Sequence, residues 1–138
     1  MVMKHIFADT SYWIALLNPR DELHSKAVSV AQSCVEDQVV TSEMVLVELL
    51  NGFSDGGHRL RAAASKAVQT LRSSPNVTVV PQTSDQFQRA LRRYADRPDK
   101  DWSLTDCASF LIMEAEGIEA ALTHDQHFAQ AGFQALLR

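Results

Sequence analysis

The sequence predicts an α/β fold: a three-layer α/β/α sandwich around a mostly parallel sheet of four to five strands. Two observations carry this expectation. Short β-rich runs alternate with longer stretches of helical periodicity, as in repeated strand–helix–strand units. The 138 residues also suffice for one hydrophobic core without disulfides or structural metal. No internal repeat, low-complexity tract or linker divides the chain, so residues 1–138 are expected to form a single domain.

The elements follow in order. His5–Ala8 is apolar and β-rich, a first strand, and Thr10–Leu17 is a short helix stopped by Asn18 and Pro19. Residues 21–36 carry Leu23, Ala27, Val30, Ala31 and Cys34 at helical spacing. Residues 38–41 form a second strand. Ser42 is a natural N-cap for a helix running to about Phe53, and Gly56 and Gly57 separate it from a helix over residues 58–73. Residues 76–80 are the third strand, and Pro81 precedes a helix over 83–95. A polar loop over 96–101 leads into a strongly apolar helix over 103–116, with Gly117 as its C-cap. Residues 119–123 make a fourth strand, Gln126–Gln130 a helical turn, and 133–136 a possible fifth strand.

Four acids stand out against this pattern. Asp9 ends the first strand segment, Glu48 interrupts an apolar helix, Asp106 opens another, and Asp125 follows the fourth strand. Carboxylates are rarely buried unless paired or bound to metal, and no Lys or Arg adjoins these in sequence. In a parallel sheet with right-handed crossovers, strand ends and the first turns of the following helices share one rim. All four acids are therefore expected on that rim. Each also has a structural alternative: Asp9 and Asp125 as helix caps, Asp106 in a capping box with Ser103, Glu48 as a surface residue. Together, unneutralised, they would repel one another. A divalent cation resolves this, and oxygen-only ligation favours Mg2+ or Mn2+.

Other residues carry less. His124 and His127 lack further ligands at zinc spacing and are read as no metal pair. Asp101 reads as solvated loop, and Tyr12, Trp13 and Trp102 as packing residues. Cys34 and Cys107 share no metal or redox spacing, which suits two buried thiols in a reduced compartment. Residues 1–5 lack signal-peptide character and no apolar run is long enough to span a bilayer, so a cytoplasmic protein is expected. The net charge of −4 equals the contribution of the four acids, so it does not exclude a nucleic-acid substrate. Arg89, Arg92, Arg93, Arg97 and Lys100 form a basic stretch, either a solvated helix face or a phosphate-backbone contact. No Walker-type loop, GxGxxG or Ser-His-Asp arrangement competes.

At these residues the chain resembles the PIN domain. The likeness lies in Phe7, Ala8, Asp9, Thr10 and Ser11; in the helical Glu48; in Ser103, Leu104, Thr105, Asp106 and Cys107; and in Thr123, His124, Asp125, Gln126, His127 and Phe128. The length is similar to that of the VapC toxins of toxin–antitoxin pairs. The resemblance implies strand order 3-2-1-4-5 and a Mg2+- or Mn2+-dependent endoribonuclease acting on RNA. Asp9, Glu48, Asp106 and Asp125 would be its catalytic, metal-binding quartet, supported by Thr10, Ser11 and Thr123. It also implies a small antitoxin partner and a homodimer. Arg92, Arg93, Arg97 and Lys100 remain possible RNA contacts. A PIN-like RNA-processing or scaffold protein that is no toxin is the alternative. An aspartate-based phosphotransferase fits less well, because a haloacid-dehalogenase site would need Asp where Ser11 stands and a receiver would need a lysine at a late strand end.

Overall fold

The structure, a computed structural model, describes residues 4–138; residues 1–3 of the N-terminal segment lie outside the described residues. Five strands form one sheet: β1 (His5–Ala8), β2 (Gln38–Ser42), β3 (Val77–Val80), β4 (Ala120–Leu122) and β5 (Gln134–Ala135). Every neighbour pair is parallel, in the order β3-β2-β1-β4-β5. The chain leaves β1 towards β2 on one side and reaches β4 on the other, so the strand order reverses beside β1. Ligands of open α/β sheets bind at such a switch point, beyond the carboxyl ends of the strands.

Seven helices link and flank the strands: α1 (Thr10–Leu17), α2 (His24–Ser33), α3 (Glu43–Gly52), α4 (Gly57–Ser73), α5 (Ser84–Asp96), α6 (Leu104–Glu116) and α7 (Gln126–Gln130). Their ends have local causes. The Ser42 hydroxyl accepts from the Val45 N–H at the start of α3, and Thr83 does the same for Gln86 at α5. Gly117 stops α6 in a left-handed conformation, φ 68°, which glycine adopts without a Cβ clash. The helix expected over 21–36 is shorter at both ends. Its first residues form a turn instead, with Asp21 Oδ1 accepting from the Leu23 N–H; Asp favours this local bond over helix.

The core centres on β1 and α6. Phe7, Phe110 and Phe128 are fully buried, and the Phe110 and Phe128 rings meet edge-to-face at 5.0 Å. Tyr12, Trp13 and Trp102 are buried too, as packing residues. Phe128 holds α7 in place: burying such a side chain stabilises by about 1.5–3 kcal/mol, whereas five helical residues have little stability alone. A second tie is Trp102 Nε1, which donates to Gln130 Oε1 at 3.2 Å. α7 is thereby fastened next to the start of α6. Cys34 and Cys107 are free, Cys107 buried and Cys34 only half-buried. Among the described residues, no helix is long and apolar enough to cross a membrane.

Candidate active site

The four acids do meet at the carboxyl rim of the sheet. Asp9 follows β1 and is buried, 5% exposed; its backbone N–H donates to Leu122 O, extending the β1–β4 ladder by one residue. Asp9 occupies the cap position of α1, yet its side chain makes no cap hydrogen bond. Its carboxylate is left for another use. Asp106 lies in the first turn of α6, Asp125 caps α7, and Glu48 lies half-buried in α3. The fields of Asp106 and Glu48 both act on Asp9, and that of Asp125 acts on Asp106.

Hydroxyl groups lock this arrangement. Thr123 Oγ1 donates to Asp9 Oδ2 at 3.0 Å and accepts from the Asp125 N–H at 3.0 Å. Its one hydrogen being on Asp9, the Ser11 hydroxyl 3.3 Å away donates to it. Ser11 in turn accepts from the His124 N–H. Thr10 Oγ1 donates to Glu48 Oε1 at 2.7 Å, tying α1 to α3. The three supporting residues expected from sequence are thus all hydrogen-bonded within the site.

The bonds fall on one oxygen of each acid. Asp106 Oδ2 accepts from the Ser103 N–H at 3.0 Å, closing a capping box with Ser103 Oγ. Asp125 Oδ1 accepts from the His127 N–H at 2.9 Å. Glu48 uses Oε1. Among the described residues, Asp106 Oδ1, Asp125 Oδ2 and Glu48 Oε2 receive no protein hydrogen bond. The caps expected at Asp106 and Asp125 are real, and they leave the second oxygen of each free.

Burial dominates the electrostatics of the cluster. Burial above all pushes the Asp9 carboxyl from 3.8 up to about 7. The Thr10 backbone N–H and Thr123 hydroxyl pull it down, while Asp106 and Glu48 push it up. Burial also raises Asp106, against the Ser103 N–H and His127. Among the described residues, the Arg ion pairs are elsewhere: Arg72 with Glu43, Arg89 with Asp85, Arg93 with Glu114 and Arg97 with Asp99. Among the described residues this partly buried acidic cluster has no Lys or Arg partner, and its unbonded carboxylate oxygens fit a hard divalent cation.

One residue the spacing argument set aside belongs here. His127 Nδ1 lies 2.9 Å from Asp106 Oδ2 and 3.2 Å from Asp125 Oδ1. The ligand atoms of these three residues fall within 4.8 Å of one another. Zinc-type spacing looks for partners nearby in sequence, whereas Asp106 is 21 residues away. His124 is exposed and contributes only backbone contacts. Asp101 is exposed on the loop before α6.

The basic stretch is partly engaged. Arg93 forms a two-pronged pair with Glu114, and Arg97 with Asp99. Arg97 and Lys100 also lie over the buried Trp102 ring, at 5.0 and 5.9 Å. Arg92 is exposed, beside Arg89 on a surface concavity.

Thr123→Val keeps the shape and removes the hydroxyl. It strands the Asp125 N–H and loosens Asp9, and is expected to lower stability by about 1–3 kcal/mol. Urea unfolding followed by circular dichroism measures this; an unchanged midpoint would show that the hydroxyl holds nothing.

Known proteins resemble this chain in sequence and fold. The PIN domain family matches residues 6–134. VapC20 of Mycobacterium tuberculosis, a 23S rRNA-specific endonuclease, is 36% identical over 131 residues, covering 93% of this chain and 95% of the relative. The crystal structure of VapC20, described as a sarcin-ricin loop cleaving toxin, superposes with a TM-score of 0.81 at 33% identity, covering 93% of this chain and 95% of the other. FitAcB from Neisseria gonorrhoeae shares the fold at a TM-score of 0.65 and 18% identity, over 94% of this chain and 95% of that one. The family match, the 36% identity to VapC20 and the shared fold agree: the chain belongs to the PIN-domain family.

Proposed function

We propose that this chain is a Mg2+- or Mn2+-dependent endoribonuclease and the toxin of a VapBC-type toxin–antitoxin pair. The observation that carries the reading is the convergence of Asp9, Glu48, Asp106 and Asp125 on one rim with no Lys or Arg partner among the described residues. The 36% identity to an rRNA endonuclease, over 93% of this chain and 95% of the relative, supports it. Asp9 and Asp106 are the principal ligands, and Glu48 and Asp125 complete the set directly or through water. Bound there, the ion supplies an activated water and neutralises charge on a phosphodiester. Thr123 and Thr10 hold Asp9 and Glu48 in place. RNA phosphates meet Arg92 and Lys100 first, because Arg93 and Arg97 would have to leave their acidic partners.

The chain acts in the cytoplasm, as a homodimer held inactive by a small antitoxin. Exposed apolar residues support protein partners: Val47 and Leu50 on α3, and Phe87, Leu91 and Tyr94 along α5. The substrate to test first is 23S rRNA, as for VapC20, with a generic single-stranded RNA beside it. Discrete cleavage is expected with Mg2+ or Mn2+, lost in EDTA and restored by excess metal. Cleavage that persists in EDTA would sink the metal-dependent reading.

A further inference from the structure

We propose that His127 is a positioning residue of this site, whose Nδ1–H fixes which oxygen of Asp106 and of Asp125 is presented to the bound ion. This rests on the metal-dependent reading above.

The geometry gives the imidazole a defined role. Nδ1 faces two carboxylate oxygens from two different elements, Asp106 Oδ2 on α6 and Asp125 Oδ1 at the start of α7. Ionised carboxylates only accept, so Nδ1 carries the hydrogen. Both oxygens it faces are already bonded: Asp106 Oδ2 to the Ser103 N–H and Asp125 Oδ1 to the His127 N–H. The imidazole therefore adds its hydrogen bond on the side of each carboxylate turned to the protein. Asp106 Oδ1 and Asp125 Oδ2 stay without protein donors. Two carboxylates that repel one another are joined by a shared donor in addition to the backbone N–H that each already accepts.

The ring itself is held. His127 is half-buried, and its neighbour Phe128 is fully buried between α7 and the core. Trp102, just before α6, grips Gln130 on the same short helix. The donor and Asp106 are thus fastened to the same corner of the fold. Groups that orient the ligands of a metal commonly affect affinity or activity by about 10–100-fold.

The alternatives are that His127 binds the ion itself or carries a proton in the reaction. Asparagine separates the donor role from proton transfer, because its side-chain NH2 branches from Cγ as Nδ1 does and transfers no proton at neutral pH. Its carbonyl oxygen is a harder ligand than imidazole, so direct ligation would show instead as a shifted preference between Mn2+ and Mg2+ in H127N. Glutamine carries its NH2 one carbon further out and does not reach the same place. The experiment measures Mn2+ and Mg2+ affinity by calorimetry, and kcat and KM for RNA, on wild type, H127A, H127N and H127Q, with folding checked by circular dichroism.

Positioning predicts that H127A and H127Q weaken Mn2+ binding by about 10–100-fold and lower kcat more than they raise KM, while H127N recovers most of both. If H127N is as impaired as H127A, the imidazole itself is needed and the proposal is overturned. If H127A binds Mn2+ as wild type does, the proposal is overturned alone. If wild type takes up no Mn2+, the metal-dependent reading falls and this proposal with it. Should H127A not fold, the contrast between H127N and H127Q decides.

Discussion

Asp9→Asn is expected to abolish RNA cleavage while making the metal-free protein more stable. The two effects share a cause. Asp9 is the most deeply buried of the four acids and ends the strand beside the topological switch. If it is a principal ligand, losing its charge removes several kcal/mol of stabilisation; ~4 kcal/mol is about a thousandfold in rate. Asparagine keeps an acceptor for the Thr123 hydroxyl, so the site keeps its shape. It also removes a charge that burial and two neighbouring acids disfavour. Cleavage assays and thermal melts in EDTA on the same preparation test both halves. An inactive variant that is also less stable would point to misfolding. Undiminished cleavage would remove Asp9 from the metal site.

The second large effect is on the pH dependence of stability. The Asp9 carboxyl is raised in the folded state, from 3.8 to about 7, so the folded chain holds a proton that the unfolded chain releases. With a raised folded value, full stability is present below 3.8 and is lost progressively as pH rises to about 7. Above that it levels off. At ~1.4 kcal/mol per unit over roughly three units, the loss is about 4 kcal/mol at most. Asp106, also raised, adds in the same direction. The apoprotein should therefore melt at a lower temperature at pH 8 than at pH 5. Mn2+ binds the folded state alone and should restore the loss at pH 8. Asp9→Asn should flatten most of the slope. Melting temperatures in EDTA from pH 4.5 to 8.5 measure it, and a metal-free protein most stable at pH 8 would contradict the buried, unpaired state of Asp9.

Much of this was legible from the residues. Alternating periodicities located every element, because β-rich runs such as residues 38–41 and helices such as α6 carry distinct spacings. The rim position of the acids followed from parallel strand direction and the strand-to-helix connections. Strand order came with the family likeness rather than from the pattern. Boundaries were less visible: the strand expected over 119–123 spans only Ala120–Leu122, although the carbonyls of Glu119 and Thr123 still accept from the Gln134 and Leu137 N–H groups. Long-range polar pairing was hidden. Nothing near Arg93 in sequence announces Glu114, and nothing near His127 announces Asp106. The caps at Asp106 and Asp125 each use one carboxylate oxygen and leave the other free for the proposed ion.

The Thr123–Asp9 bond joins residues 114 positions apart. On a ribosome adding about 5–20 residues per second, Thr123 is made roughly 6–23 s after Asp9. During that interval the nascent chain has its first strand but no partner for the aspartate that ends it. Asp125 and His127 arrive later still. The acidic cluster is thus incomplete on the nascent chain until translation has passed Asp125.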